Sequence, residues 1–311
     1  MYNKLLIYTL SILLSITLVS QEKDKHLLFK QDTFNIPYNF NKPDKTWELP
    51  KKLVEISGLS YIDDHRLACV QDEKGHIYIF NTKKGEVERK IDFGIDGDYE
   101  GIEIVGNDAW ILKSDGKLFK VENFLEKDDT EAIKYESSLS GKNDPEGLAY
   151  DPFTHSLLIA CKGHPFIDGR YGKEFKSVFS YNIEKKTIDP DHFLLIEIDT
   201  IKYYKNYNTM TSLGVELLAY IDDSKGDVSF QPSGIAIHPI TGNIYIVAAV
   251  GNLLMIFSRE GKVLAMIDLK SKVHPQPEGI CFSPDGTLYI ANEGGDKKGT
   301  ILKFKMKKIE E

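Results

Sequence analysis

After each of five glycines the chain places apolar residues two apart. Leu59-Ser-Tyr61, Ile102-Glu-Ile104, Leu148-Ala-Tyr150, Ile235-Ala-Ile237 and Ile280-Cys-Phe282 all carry the period of a strand. Turn residues follow: Asp63-Asp64, Gly106-Asn107, Asp151-Pro152, His238-Pro239 with Thr241-Gly242-Asn243, and Ser283-Pro284-Asp285-Gly286. Proline fixes φ there, and Gly or Asn tolerates φ > 0. Second strand-like runs lie at Arg66–Gln71, Ala109–Lys113, Ser156–Cys161, Asn243–Ala249 and Thr287–Asn292. Third runs lie at His76–Asn81, Lys117–Glu122, Ser177–Ile183, Leu253–Ser258 and Thr300–Lys305, and fourth runs at Val87–Phe93, Phe193–Ile198 and Val263–Leu269.

The residues around the glycines are copies of one motif. They read Glu55-Ile-Ser57-Gly58-Leu59, Asp98-Tyr-Glu100-Gly101-Ile102, Asp144-Pro-Glu146-Gly147-Leu148, Gln231-Pro-Ser233-Gly234-Ile235 and Gln276-Pro-Glu278-Gly279-Ile280, with the glycines 43, 46, 87 and 45 residues apart. A fixed period of this size with three or four antiparallel strands per copy predicts an all-β, five-bladed β-propeller of four-stranded blades around a central channel. The innermost strand of a blade crowds the axis, so the glycine is expected to allow an unusual φ and a close backbone approach. The alternative is six blades, because the long step could hide one more copy; residues Thr200–Asp227 read instead as an insertion. The last copy shows three strands, and a strand near Thr46–Pro50 is expected to complete it and close the ring. The propeller then spans 46–306, preceded by an exposed lead-in at 21–45 and followed by a charged tail at 307–311.

The first twenty residues read as a signal peptide: Lys4, the apolar run Leu5–Val19, then the charged stretch opening after Ser20-Gln21. This predicts export to the periplasm or beyond the cell, with retention as an N-terminal membrane anchor as the alternative. No Cys follows the apolar run, which disfavours a lipoprotein. Cys69, Cys161 and Cys281 each sit in an apolar run and are expected to be buried small hydrophobes. The chain has 311 residues, 41% hydrophobic and 28% charged, with a net charge of −8 and no basic patch, which excludes a nucleic-acid partner. Tyr203-Tyr204-Lys-Asn-Tyr207 in the insertion reads as an exposed loop, with a lid or partner surface as the alternative.

The chemistry lies in the residue before each glycine. In a propeller the column Ser57, Glu100, Glu146, Ser233, Glu278 stands at one mouth of the channel. Two positions earlier come Glu55, Asp98, Asp144, Gln231 and Gln276, all oxygen-bearing. The ends of the returning strands bring Asp72, Lys113, Lys162 with His164, and Asn292-Glu293 to the same face. Three converging Glu repel one another unless they take up protons, point into solvent or bind a cation. A hard cation of the Ca²⁺ type suits an all-oxygen set. The expected metal ligands are Glu100, Glu146 and Glu278, supported by Asp98, Asp144, Ser57 and Ser233. In the alternative each Glu caps amides of its own turn. Lys113, Lys162, Asp72 and Asn292 are the candidate ligand contacts, and His164 and Glu293 the candidate proton acceptors if there is catalysis. No nucleophile elbow, HExxH or phosphate loop occurs, and no helix follows Gly94-Ile-Asp-Gly97 to make it a dinucleotide fingerprint.

Taken together, Leu53–Ser60, Asp98–Glu103, Asn143-Asp-Pro-Glu-Gly-Leu-Ala-Tyr150, Gln231-Pro-Ser-Gly-Ile-Ala236 and Gln276-Pro-Glu-Gly-Ile280 resemble the SdiA-regulated (YjiK-like) family of exported bacterial propellers. The resemblance covers about residues 46–306. It implies five blades, a bound calcium, and distant kinship with NHL-repeat and calcium-dependent lactonase propellers, without implying a catalytic activity. The expected function is a monomeric binding protein of the cell envelope that recognises a small molecule or an envelope protein. The alternative is a calcium-dependent hydrolase of lactone or ester type.

Overall fold

The computed structural model describes residues 26–168, 170, 172, 174–201 and 230–307. They form five antiparallel blades. Blade 1 runs from its inner strand outward as Ile56–Asp63, Arg66–Gln71, His76–Asn81 and Glu86–Asp92. Blade 2 is Tyr99–Val105, Asp108–Lys113, Leu118–Val121 and Ile133–Tyr135. Blade 3 is Pro145–Asp151, Ser156–Cys161 and Phe175–Asn182, with its outer edge split between Thr187–Ile188 and Leu194–Glu197. Blade 4 is Gln231–Ile237, Ile244–Val250, Leu253–Phe257 and Val263–Asp268; blade 5 is Pro277–Phe282, Leu288–Asn292, Thr300–Phe304 and Lys45–Glu48. The strand expected from the N-terminal side thus closes the last blade, pairing Lys45–Glu48 with Thr300–Lys303.

Each inner strand packs on that of the next blade, and the fifth packs on the first. The inner strand of blade 3 lies directly against that of blade 4, so the ring closes with five blades and the 87-residue step holds an insertion, not a sixth copy. Of that insertion, Ile201 is fully buried in the core between blades 3 and 4. Residues 202–229, with Tyr203, Tyr204 and Tyr207, lie outside the described residues, as do the proposed signal segment and residues 308–311.

Five apolar cores fill the five gaps between adjacent blades. A strand inside such a stack is covered on both faces, so its sequence is a continuous apolar run. In the second strand of blade 4, Ile244, Ile246 and Ala248 face blade 3 while Tyr245 and Val247 face blade 5. Each fully buried large aliphatic side chain contributes about 2 kcal/mol to holding neighbouring blades together. An ion pair adds a staple: Arg259 of blade 4 reaches the fully buried Asp151 of blade 3 with two hydrogen bonds of 3.1 and 2.6 Å.

The motif glycines are explained by close approach alone. None of the five has positive φ. A Cβ on Gly58 would stand 2.8 Å from the Ile102 nitrogen, one on Gly147 2.9 Å from the Ile235 nitrogen, and one on Gly279 2.8 Å from the Leu59 nitrogen. The glycine of each blade is therefore the point where the next inner strand touches it.

The lead-in, expected to be exposed, is packed into the ring. Leu27–Lys30 pairs with blade 4 as a fifth strand. Tyr38 and Phe40 are buried between blades 4 and 5. The Tyr38 hydroxyl donates to the Gly286 carbonyl at 2.6 Å and lies 2.9 Å from His238 Nε2, and buried His274 donates from Nε2 to the Phe40 carbonyl at 2.8 Å. Phe34, Ile36, Tyr38 and Phe40 alternate with Asn and Pro at the period of a strand, yet they form none and pack instead into the gap between blades 4 and 5. Cys69, Cys161 and Cys281 are buried free thiols, as their apolar surroundings led us to expect. No helix among the described residues is long and apolar enough to cross a membrane.

Candidate functional site

A bulge presents the column. In every blade the register between inner and second strand slips at the residue before the glycine: Ile56 pairs with Gln71 and Gly58 with Val70, Tyr99 with Lys113 and Gly101 with Leu112, Pro145 with Cys161 and Gly147 with Ala160. The slip recurs around Ser233 and Glu278. A bulge leaves one residue unpaired and re-aims its side chain. The same register sets the strand ends beside the column, with Lys113 opposite Tyr99 and Asn292 opposite Pro277.

The two serines are inter-blade clamps. Ser57 Oγ donates to the Tyr99 carbonyl at 2.6 Å. Ser233 Oγ donates to the Pro277 carbonyl at 2.6 Å and accepts from the Ala249 amide at 3.1 Å. Tyr99 and Pro277 each precede a column glutamate, so each serine fixes the backbone that carries Glu100 or Glu278. Their hydroxyl protons are committed to this task.

The glutamates form a charge-coupled cluster centred on Glu146, which is 5% exposed. Burial raises the affinity of Glu100 for a proton, and the charges of Glu146 and Asp98 raise it further. Burial and then Glu146 push the Glu278 carboxyl up to about 8. Glu146 is itself raised by burial, although Lys162 opposes this. Lys162 Nζ is ion-paired with Glu146 Oε1 and lies 3.5 Å from Asp144 Oδ2; burial disfavours its charge, but these carboxylates outweigh that and hold it protonated. Lys176, unnoticed in the sequence, donates from Nζ to the Lys162 carbonyl and is lowered by burial. Three carboxyls facing one close ammonium cannot all ionise cheaply, so the cluster retains protons near neutral pH.

An outer arc of acids continues from the trio. Burial, then Glu55, Glu73, Glu293 and Asp98, push Asp72 up to about 6, and its Oδ1 is buried with no hydrogen-bond partner. Gln276 Nε2 lies 3.4 Å from Glu278 Oε1 and bonds to Glu293 Oε2, joining the arc to the trio. Asn292 is fully buried and donates to Thr300 Oγ1 at 3.3 Å, so it serves blade 5 internally. Lys113 turns to Asp115, 3.8 Å away. The His164 backbone is pinned by the Lys142 carbonyl and by Asn143 Nδ2. Of the four proposed ligand contacts, Lys162 is thus the one brought against the trio.

A cup of about 300 Å³ opens over this cluster, lined by Glu146, Lys162, Ser233, Gln276 and Glu278. Below it the axis narrows to about 10 Å³ between the motif glycines, which is the volume of a single water position. A broader groove of about 1420 Å³ runs between blades 5 and 1 past Glu55 and Glu73, beside the trio rather than over it. Among the described residues, no three carboxylate, imidazole or thiol groups are already gathered tightly enough to hold one metal ion. The donor chemistry is nonetheless all-oxygen and short of positive charge. The cup can exchange protons at Glu146 and Glu278, offer donors from Lys162, and accept a cation in exchange for protons.

A second ionisable residue, besides Lys176, escaped the sequence reading. Glu103 lies two positions after its glycine, where the other blades carry Ser60, Ala149, Ala236 and Cys281. A lone carboxylate in a column of small residues was the available signal. It accepts from Ser60 Oγ at 3.3 Å and from the Tyr150 amide, and burial pushes it up to about 8 despite both bonds.

The sequence model of the SdiA-regulated family matches residues 39–295. No curated protein matches the chain. Among solved structures, the glutaminyl cyclase of Myxococcus xanthus superposes with a TM-score of 0.54 at 11% identity, over 86% of this chain and 97% of that one. A luciferin-regenerating enzyme gives 0.48 at 10% identity, over 85% and 95%. A streptogramin B lyase gives 0.44 at 10%, over 84% and 97%. At these identities the likeness concerns the fold alone.

Proposed function

The chain belongs to the SdiA-regulated family, and from that premise we propose that it is an exported, non-catalytic binding propeller of the cell envelope whose channel mouth takes up a calcium ion. The observation that supports this reading is the trio Glu100, Glu146 and Glu278, the second buried and the other two half-buried, which among the described residues is met at close range by Lys162 and otherwise relies on protons for neutrality. The three glutamates would hold the ion, with Asp98 and Asp144 behind them. Bound there, calcium would supply the positive charge that protons and Lys162 now supply. The cup above is then the place where a small molecule or a loop of an envelope protein docks. Export rests on the N-terminal apolar run, and N-terminal sequencing of the secreted chain checks it.

Calcium uptake and Lys162 compete for Glu146. Saturating the purified protein at about 100 times the dissociation constant should stabilise it by about 2.7 kcal/mol, read as a rise in Tm. Affinity should increase with pH as protons leave the trio, and Lys162→Met should bind calcium about tenfold more tightly. Protein that shows no bound metal by elemental analysis, no heat on titration and no Tm shift would sink the calcium site.

The carboxyls of Glu100 and Glu146, both raised by burial and standing near Lys162, also suit general acid–base work. This favours, as a second reading, a calcium-dependent lactonase or esterase, with His164 or Glu293 as the proton acceptor. A broad lactone and ester panel on calcium-loaded protein decides between the two; no turnover leaves only the binding reading.

A further inference from the structure

We propose that the opposite mouth of the channel is a second binding site, built for a small organic ammonium ion. The inner strands of all five blades contribute to a cavity of about 230 Å³ there, room for about seven waters of liquid volume. Glu103 stands in it as the one carboxylate of the lining, and among the described residues that lining holds no lysine or arginine. Three aromatic rings surround it: Tyr61, Tyr150 and Phe282. A half-buried carboxylate with aromatic walls is the arrangement that recognises alkylammonium groups, through charge and the negative faces of the rings.

The walls are held in place before any ligand arrives. The Tyr61 hydroxyl donates to Asp64 Oδ1 at 3.0 Å, and the Tyr150 hydroxyl lies 2.9 Å from His155 Nδ1. Phe282 packs against His238 and Tyr245, with ring centres 4.9 and 5.0 Å apart. Glu103 is fixed by Ser60 and the Tyr150 amide, so its carboxylate needs no rearrangement to meet a cation. The rim favours positive charge as well: Asp63, Asp64 and Asp285 all act on Tyr61. Fixed walls and a fixed carboxyl group lower the ordering cost of binding. None of this depends on the calcium reading, which concerns the other face.

Glu103 carries a proton near neutral pH, so a bound cation displaces it. The titratable groups that face it are Tyr61, Tyr150 and Cys281, with His238 behind Phe282. Burial raises the Tyr61 hydroxyl and the Cys281 thiol and lowers His238, which keeps these three uncharged at neutral pH.

Choline and its neutral isostere 3,3-dimethylbutan-1-ol are the probes, titrated calorimetrically into the whole protein. Choline should bind at least about tenfold more tightly than the alcohol, and its affinity should rise by about tenfold per pH unit from pH 6 toward 8. Glu103→Gln, which keeps the bonds to Ser60 and Tyr150, should erase the preference for choline and its pH dependence. If that variant fails to fold, Tyr150→Leu at the half-buried rim should weaken choline about tenfold and spare the alcohol. Equal binding of the two probes, no choline binding at any pH, or a loss caused by Glu146→Gln and not by Glu103→Gln would each overturn the proposal.

Discussion

The two mouths of one channel are made from the same five strands and treat charge in opposite ways. At one mouth three glutamates cluster near one ammonium, and their mutual repulsion adds to burial. At the other a single glutamate sits among small and aromatic side chains, and burial alone raises it. The difference comes from local geometry. The bulge at the residue before each glycine turns five side chains toward one opening. Two residues past the glycine the ladder is regular again, and side chains there bond to the next blade, as Ser60 does with the Ile104 amide at 3.1 Å. A cluster of carboxyls invites a metal ion or protons, whereas a lone carboxyl with aromatic walls invites one organic cation.

The strongest way to break both mouths at once is to press the blades apart. In Gly101→Ala the new Cβ would lie 2.9 Å from Leu148 Cβ and 3.1 Å from the Glu146 carbonyl. Denaturant unfolding should show a loss of about 3 kcal/mol, the upper end for an overpacked core; an unchanged midpoint would mean that the ring does not close at the glycines. Next in size is Glu278→Gln. The Glu278 carboxyl is at about 8 in the folded protein against 4.5 unfolded, so the folded state holds the extra proton and stability falls as pH rises through that window. The glutamine variant should match the parent at pH 5 and exceed it at pH 8.5 by about 2 kcal/mol after screening. A constant difference across pH would remove the coupling within the trio. The smallest effect is expected of Glu103→Gln at pH 6, where the native carboxyl already carries its proton. There the change should stay within about 1 kcal/mol, and a larger loss would make Glu103 mainly an inter-blade clamp.

Much of this was legible in the chain. The period-2 alternation, the spacing of the glycines and the turn residues specified the blades, because each blade repeats the same local problem of covering both faces of a sheet. The column Ser57, Glu100, Glu146, Ser233, Glu278 was visible for the same reason. The role of its serines was not, since a hydroxyl held by the neighbouring blade looks in sequence like a hydroxyl offered to a ligand. The lead-in was also misread: Tyr38 and Phe40 fill a gap between blades 4 and 5 and have no partner nearby in sequence. Glu103 went unnoticed because it occupies an ordinary outward position of an alternating strand, and only ring closure turns that position toward the axis.

The sequence by itself determined the strands, the repeat and the set of side chains that stand near the axis, all of which follow from local periodicity. Tertiary structure decided the number of blades, since that depends on which inner strands touch. It also decided which carboxyls share protons, since Coulomb coupling depends on distances across blades more than 40 residues apart in the chain. Lys162 shows the division most plainly: its place at a strand end was written in the chain, and its choice of Glu146 was made by the ring.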